Sequence, residues 1–316
     1  MTEPNRQNPA LGVKFKRHIR VDPIHIAGYI VLGIGALLMA YPILFIIMAS
    51  FFTPAEFNTT VVGLFPIAEH PTWDNIKALF FVTSDRYTLI YYRNSLIITA
   101  YSTTWTFITC LLAGYVFGRL QFKGKEVLFM IMLTTQMIPG IVSVMPTYLE
   151  LVRFPFAGGN WIFMGGTGLY DTWGVYILLF GGMLRIMGTF LVKQAVESLP
   201  VALEDAARVD GASFMRILFV IVMPNLKPVL AYVTITTAIG AWNNWEAPFY
   251  YTNSRELQTI ASSLTKLTSF AGKEGDIINY PAIMSFSLLL TIPCIIIFFI
   301  FQKFIVQGLV SAGIKG

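Results

Sequence analysis

The residue types that could do chemistry gather in one polar segment, residues 198–224, which lies between two long apolar runs. Ser198 followed by Pro200 is typical of a helix start, because serine caps the first turn and proline suits the first helical position. Gly211 is a natural residue just past a helix end. Ser213 can then cap a second amphipathic helix. The segment therefore predicts a helix, a glycine turn and a second helix that proline 224 ends.

The first of these helices combines early acidic residues with a face of small side chains. Glu204 and Asp205 lie where the helix dipole favours negative charge, and Arg208 follows Glu204 by four residues, the spacing of an ion pair. The other residues on it are small or modestly apolar: Ala202, Leu203, Ala206, Ala207 and Val209. Small side chains let a partner protein approach the backbone, so the helix fits a groove on another protein. An interfacial helix lying on lipid is the alternative, but the bulky face that lipid anchoring prefers is absent.

Enzymatic chemistry finds no support in the rest of the chain. A phosphate-binding P-loop needs a Gly-Lys pair followed by Ser or Thr, and the pairs at 124–125 and 272–273 are each followed by glutamate. His18, His25 and His70 are too scattered for a metal site, and the serines and aspartates form no nucleophilic constellation. If this chain takes part in ATP-driven work, a separate ATPase must supply the energy.

Composition places the chain in a membrane. Hydrophobic residues make up 55% of it and charged residues 12%, with a mean hydropathy of +0.66, and a soluble fold needs more surface charge than that. The net charge of +5 comes from single basic residues between apolar runs, which is not a nucleic-acid-binding pattern. Cys110 and Cys294 both lie in apolar runs and are expected to be buried thiols.

Six segments are long and apolar enough to span a bilayer, which takes about 20 residues. They are Ile24–Phe52, Asn94–Gly118, Val127–Val152, Thr172–Leu191, Pro224–Phe249 and Pro281–Val306. We therefore predict an all-α integral membrane protein, with a cytoplasmic N-terminal tail over residues 1–23. The membrane domain covers residues 24–316, and its main polar loop covers residues 195–223.

Lysine and arginine positions predict that both termini lie in the cytoplasm. With the N-terminal cluster included, that orientation collects most basic residues on the inner side: Arg6, Lys14, Lys16, Arg17, Arg20, Arg119, Lys123, Lys125, Arg185, Lys193, Arg208, Arg216, Lys227, Lys303 and Lys315. The connections 53–93, 153–171 and 250–280 then lie outside, and the second, rich in glycine and aromatics, is expected to form an irregular cap over the span ends. Charge in the outer connections is mixed and gives no strong reason to expect an anionic ligand.

Polar side chains inside spans are candidates for a substrate path. We single out Gln136, Tyr148, Trp242, Asn243, Asn244 and Glu246. Aromatic faces with amides and carboxylates are typical of sugar binding. The alternative is packing, in which asparagines hydrogen-bond between helices and tryptophans anchor at the membrane interface.

The segment EDAARVDGAS, residues 204–213, followed by proline 224, resembles the EAA motif of ABC importer permeases. Ala206, Ala207, Asp210 and Gly211 match the pattern, and Asp205 stands where the motif has glutamate. Other segments are also similar to that family: Asn94-Ser95, Gln136 to Pro139, Trp242-Asn243 with Pro248, and the C-terminal FIVQGL and GIKG. The C-terminal end is similar to carbohydrate-type permeases of the maltose permease MalG kind.

This resemblance implies six transmembrane helices of the MetI-like permease fold in a bacterial inner membrane. It implies that residues 204–211 form a coupling helix that fits a cleft on an ATPase subunit. The expected partners are a second homologous permease, a dimer of ATPase subunits and an extracytoplasmic solute-binding protein, with ATP and magnesium on the ATPase and no cofactor on this chain. The implied cargo is a carbohydrate, foremost an oligosaccharide.

Several alternatives remain open from the sequence. Within the class, the cargo could be a polyol, glycerol phosphate or an acidic oligosaccharide. From other classes, a channel would not need an ATPase-docking loop, and a membrane enzyme should show a catalytic constellation.

Overall fold

The computed structural model describes residues 23–59, 63–81, 87–161, 165–181, 185–270 and 279–313, with the side chains at 23–24, 81, 267–270 and 302–313 not described. Nearly all of the tail predicted over residues 1–23, and residues 314–316, lie outside this range. All regular elements in the described part are helical, as predicted.

The chain divides into two compact units, residues 1–45 and 46–316. Helix α1, Pro23–Ala49, begins in the first unit and is apolar on all sides, as expected of a helix surrounded by lipid. Pro42 lies inside it without ending it. Large apolar side chains such as Leu37 and Met39 are exposed along it, which agrees with the first predicted span.

The second unit contains the remaining helices. Its long helices are α4 (Tyr87–Arg119), α12 (Lys227–Trp242) and α15 (Tyr280–Gly313). Shorter helices follow one another between them: α2 (Pro54–Thr59), α3 (Asp74–Phe81), α5 (Lys125–Thr135), α6 (Val144–Val152), α7 (Trp173–Gly181), α8 (Ile186–Glu197), α9 (Ala202–Val209), α10 (Phe214–Arg216), α11 (Met223–Asn225), α13 (Glu246–Tyr251) and α14 (Ile260–Phe270). A π-helical turn, Ile217–Val222, joins α10 to α11.

Two predicted spans are sharply bent. Four helical segments of the described chain are long and apolar enough to cross a membrane, and there are up to six if each bent pair counts as one span. The third predicted span is α5 and α6, bent by 91°, and the bend contains Pro139, which has no N–H and holds its own backbone extended. The second bend, of 81°, lies near Leu226 at the start of the fifth predicted span and joins the segment Phe214–Asn225 to α12. The chain break predicted at proline 224 therefore falls two residues later.

The predicted ends of the fourth and fifth spans also need correction. The fourth continues as α7 and α8 to Glu197, beyond the predicted end at Leu191. The fifth was predicted to run to Phe249, but α12 ends at Trp242 and a separate helix, α13, follows. The chain turns at Asn243 and Asn244, whose side chains satisfy backbone groups on either side of the break.

Helix α4 is the centre of the second unit and packs against both α8 and α12. One apolar cluster surrounds its C-terminal half and includes Leu111 and Tyr115 with Leu218 of the π-helical turn. Another surrounds its N-terminal half around Ile98. The α4 amide of Asn94 donates to two carbonyls of the segment before α14, at 2.7 and 2.9 Å, which fixes that segment against the helix.

The glycine-rich connection between α6 and α7 is irregular in its described residues, as predicted, and it is internally hydrogen-bonded. Asn160 is buried and its amide donates to the carbonyls of Val152 and Phe154 at 2.8 and 3.0 Å. At the end of the connection, the carboxylate of Asp171 accepts hydrogen bonds from Asn253 and Ser254 at 2.6 to 2.8 Å. Burial alone would raise the pKa of the Asp171 carboxyl, but these bonds outweigh it and hold the pKa below its ordinary value.

Two glycines set the close approach of α4 to α8. A Cβ atom added to Gly114 would lie 2.4 Å from Cγ1 of Val192, and one added to Gly118 would lie 2.7 Å from Cγ1 of Val196. Because residues four apart share a helix face, the two glycines form one contact strip. The α4–α8 pair therefore depends on the absence of side chains there.

We expect Gly114→Val to force α4 and α8 apart and to destabilise the protein by about 1–3 kcal/mol or more, since an overpacked core must shift backbone. The matched control is Gly33→Val in α1, where an added Cβ meets nothing within 4 Å. Thermal unfolding of both variants in detergent provides the measurement. Equal melting temperatures for the two variants would contradict the close packing.

Candidate functional site

The loop between α8 and α12 ends its first helix at Gly211, as predicted. Gly211 has a φ of +76°, in the left-handed region where glycine is favoured. Its N–H donates to the carbonyl of Arg208 at 3.0 Å, and the N–H of Ala212 donates to the carbonyl of Ala207 at 2.9 Å. These two bonds form a Schellman motif, which satisfies carbonyls that the helix end would leave unpaired. Helix α9 is thus stopped by a defined hydrogen-bonded turn.

The predicted start of this helix is wrong. Ser198 is the C-cap residue that directly follows α8, and its hydroxyl donates backwards to the carbonyl of Ala195 at 2.8 Å. The chain turns through Pro200, and α9 begins only at Ala202. The prediction failed because α8 extends farther than expected and uses Ser198 itself.

The second predicted cap is confirmed. Ser213 has an extended backbone, and its hydroxyl accepts a hydrogen bond from the N–H of Arg216 at 3.4 Å. The helix that follows widens into the π-helical turn, whose Ile217, Leu218 and Val222 are buried in the cluster around α4. The loop is therefore attached to the helical core on its C-terminal side as well.

Glu204 fixes α9 to the end of α4. Its side chain is 2% exposed. The Tyr115 hydroxyl donates to Oε2 at 2.8 Å, and Nε of Arg119 donates to Oε1 at 2.6 Å. Arg119 also donates from Nη2 to the carbonyl of Leu199, at 2.6 Å, just before the turn into α9. We call these three side chains, Glu204, Tyr115 and Arg119, the carboxylate clamp.

The predicted ion pair between Glu204 and Arg208 is confirmed, although it is the weaker contact of the carboxylate. Nη2 of Arg208 lies 3.5 Å from Oε2 of Glu204. The same guanidinium donates from Nη1 to Asp205 at 2.9 Å, where both partners are about half exposed. Solvent screens that outer pair, so it adds little stability compared with the clamp.

The predicted coupling residues divide between two sides of α9. Glu204 and Ala207 are buried against the core. Asp205, Ala206, Asp210 and Gly211 are exposed. The exposed side also carries Leu203 and Val209, and Val209 is 88% exposed. We call Leu203, Ala206 and Val209 the outer face, because their spacing of three residues places them together.

The sequence analysis did not foresee that Glu204 points inward. A signal was present, because Arg119 comes at the end of an apolar run and needs an acidic partner if it stays near the membrane. Nothing in the spacing of an eight-residue helix identifies which acid that partner is. Glu204 and its neighbour Asp205 are alike in charge, and only tertiary packing distinguishes them.

A cavity of about 450 Å³ lies between the end of α5, the α7–α8 pair and α12. Two of the predicted path residues, Gln136 and Asn244, line it. Arg185 lines it too. The sequence analysis counted Arg185 as a cytoplasmic charge, whereas the structure places it near the middle of the candidate span Trp173–Glu197. That position removes Arg185 from the orientation argument and makes it a candidate functional residue.

Trp242 and Asn243 have packing contacts instead. Trp242 is 1% exposed, and its indole N–H donates to the carbonyl of Leu290 in α15 at 2.8 Å. The amide of Asn243 donates to the carbonyl of Ile239 at 2.9 Å, one turn earlier. Neither side chain lines the cavity, and their contacts match the packing alternative.

Tyr148 and Glu246 also lie away from the cavity lining. The ring of Tyr148 packs edge-on against Tyr170, with centroids 5.4 Å apart. Glu246 is an exposed residue in the first turn of α13, where a negative charge suits the helix dipole. No cluster of metal-binding side chains occurs among the described residues.

We expect Glu204→Ala to destabilise the protein by about 3–5 kcal/mol, because it leaves the largely buried Arg119 guanidinium, 10% exposed, without its carboxylate. Asp205→Ala is the matched control and should change stability by less than about 1 kcal/mol, since its pair is exposed. Thermal unfolding and limited trypsin digestion at Arg208 measure the two effects. Similar losses for both variants would mean that the clamp does not hold α9.

Residues 110–311 match the family described as "Binding-protein-dependent transport system inner membrane component". That match covers more than half of the chain, including α9, the carboxylate clamp and the cavity.

Individual relatives match over almost their full lengths. The galactooligosaccharides transport system permease protein GanQ of Bacillus subtilis is 28% identical over 96% of this chain and 99% of its own. The trehalose/maltose transport system permease protein MalG of Thermococcus litoralis is 29% identical over 91% of this chain and 97% of its own.

Among solved structures, a chain of a bacterial ABC transporter involved in the import of the acidic polysaccharide alginate shares the fold. It has a TM-score of 0.71 and 21% identity over 89% of this chain and 95% of that one. With the family match, this similarity confirms the MetI-like permease fold. The chain belongs to the family of inner-membrane components of binding-protein-dependent ABC transport systems.

Proposed function

We propose that this chain is one of two membrane-spanning subunits of an ATP-driven importer, and that its cargo is a carbohydrate, foremost an oligosaccharide. The family membership supports the importer. The relatives support the carbohydrate, since GanQ is named for galactooligosaccharides and MalG for trehalose and maltose. A solute-binding protein delivers the cargo from outside, and a second, homologous permease completes the path.

The outer face of α9 is the observation that carries this proposal. Leu203 and Val209 are exposed apolar residues with the small Ala206 between them, on a helix whose opposite side is fixed by Glu204. A rigid helix with a small-sided apolar face fits a groove on a partner protein. The partner is an ATPase subunit, which binds ATP and magnesium, and this chain holds no cofactor.

The orientation follows from the position of α9. If the outer face meets the ATPase, the loop between α8 and α12 lies in the cytoplasm, and both chain termini lie on the same side. The connections 53–93, 153–171 and 250–280 then face the binding protein. The asymmetry of lysine and arginine residues in the sequence supports the same orientation, even with Arg185 left out.

The carboxylate clamp connects this docking helix mechanically to the membrane helix α4. Closure of the ATPase dimer moves α9, and Glu204 transmits that movement to Tyr115 and Arg119 at the end of α4. Because α4 packs along both α8 and α12, a shift of its end displaces helices that line the cavity. The cavity thereby opens alternately to the two sides of the membrane.

We expect Ala206→Trp to abolish transport and co-purification of the ATPase, because an indole on the outer face prevents close approach of the partner. Ala206→Ser, which stays small, should keep both. The chain should still insert and unfold at its normal temperature, since Ala206 is exposed. If α9 merely lies on lipid, the tryptophan would strengthen membrane attachment and leave transport intact.

Gly211 provides a second test through backbone geometry. We expect Gly211→Val to abolish transport-coupled ATP hydrolysis while leaving insertion intact, because valine cannot hold a φ of +76° and the Schellman turn is lost. Gly211→Asn should retain most of the activity, since asparagine tolerates the left-handed region. Normal uptake by the valine variant would count against a docking role for the loop.

A further inference from the structure

A basic side chain, Arg185, lies in the cavity between α5, α7–α8 and α12. Arg185 lines this cavity, near the middle of the candidate span Trp173–Glu197. In the part of the chain that the structure describes, its guanidinium makes no ion pair and no hydrogen bond. The described residues that line the cavity include no aspartate or glutamate.

Such an arginine is costly in a membrane and is therefore informative. Placing arginine at the centre of a membrane helix costs at least about 2.5 kcal/mol on insertion scales, so these residues usually face a polar path and serve function. The carboxylate clamp is an example of a charge with a structural role, because the carboxylate of Glu204 accepts hydrogen bonds from two donors at 2.6 and 2.8 Å. Arg185 has no carboxylate or other acceptor of this kind among the described residues, and it lines an open cavity whose walls are partly polar and partly apolar.

The other polar groups of the cavity are neutral. Asn244 uses its Oδ1 to accept from the N–H of Ala247 at 3.1 Å, which leaves its NH₂ group as a donor. Thr236 donates its hydroxyl proton to the carbonyl of Tyr232 at 2.9 Å, so that its oxygen can only accept. Gln136 adds an amide that can do either. The cavity thus offers one cation together with donors and acceptors suited to hydroxyl groups.

We propose that this cavity binds a sugar acid, with the carboxylate of the saccharide on Arg185 and its hydroxyls on the neutral groups. The inference rests on the proposed function and names its cargo as an oligosaccharide that contains uronic acid. A planar guanidinium pairs with a carboxylate through two parallel hydrogen bonds. Arg185 is the one cationic side chain among the described residues that line the cavity, which matches the single charge of a carboxylate better than the nearly double charge of a phosphate.

The cavity has room for such a ligand. Its volume of about 450 Å³ falls within the range of small-molecule sites, about 300–1,000 Å³. Gly240 lies on its wall, and a Cβ added there would meet nothing within 4 Å. A larger residue at this position would therefore fill the cavity without a clash. Such a variant narrows the binding site for every ligand without changing its charge, and so it is a control for variants of Arg185.

The test compares two probes that differ only in charge: a uronic acid trisaccharide and the same trisaccharide with its carboxyl groups reduced to alcohols. Binding is measured by calorimetry on the purified membrane complex with its ATPase and second permease. The binding protein is left out, so that any preference between the two probes comes from the membrane subunits. We expect the acidic probe to bind at least about tenfold more tightly, as a charged hydrogen bond gives.

The variants separate charge recognition from packing. Arg185→Gln should remove the preference for the acidic probe and leave the affinity for the neutral probe unchanged. Arg185→Lys should restore part of the preference, and Gly240→Leu should weaken both probes alike. The inference is overturned if the wild type binds both probes equally, or if Arg185→Gln weakens both equally, which would indicate that Arg185 pairs with the second permease.

The same preparation distinguishes a failure of this inference from a failure of the proposed function. A complex that retains its ATPase and transports a neutral saccharide, but does not prefer the acidic probe, overturns the sugar-acid assignment alone. A chain that purifies without any ATPase overturns the importer as well.

Discussion

The structure of the loop depends on one electrostatic constraint: a carboxylate that is removed from water must be given partners. Glu204 receives a hydroxyl from Tyr115 and a guanidinium from Arg119, and both come from the same helix. That requirement orients α9 about its own axis, because the side that carries Glu204 must face α4. The outer face is then determined as the opposite side. A single buried charge thus selects which residues of the most polar segment remain available to a partner.

The chain treats its two important charges in opposite ways. Glu204 is enclosed by donors of its own protein, which makes a rigid joint between the loop and the helical core. Arg185 faces a cavity and has no acceptor among the described residues. A charge that is paired within the protein stabilises the fold, whereas a charge without a partner among the described residues is free to bind a ligand. Between them runs α4, which approaches α8 closely through Gly114 and Gly118, so that the joint and the cavity share one framework.

Sequence reasoning succeeded where the physics is local. Gly211 and Ser213 were recognised because a left-handed turn and a cap act within a few residues. It failed where distant parts of the chain decide. Ser198 was misassigned because it caps the C-terminal end of α8, and the 91° bend between α5 and α6 was not foreseen because proline is tolerated in many spans. Of the six predicted path residues only Gln136 and Asn244 reach the cavity, since polarity alone does not say whether an amide faces a ligand or a neighbouring helix.

The carboxylate clamp also bears on how the protein is made. Arg119 precedes Glu204 by 85 residues, so α4 is synthesised well before its partner on α9 exists. The helices from α5 to α8 must be made before the carboxylate can reach the guanidinium. Until then α9 lacks the contact that orients it, and its outer face is not presented in a fixed direction. The ordered helix is therefore a sign of completed insertion, and the ATPase that we propose as its partner would assemble only with a finished subunit.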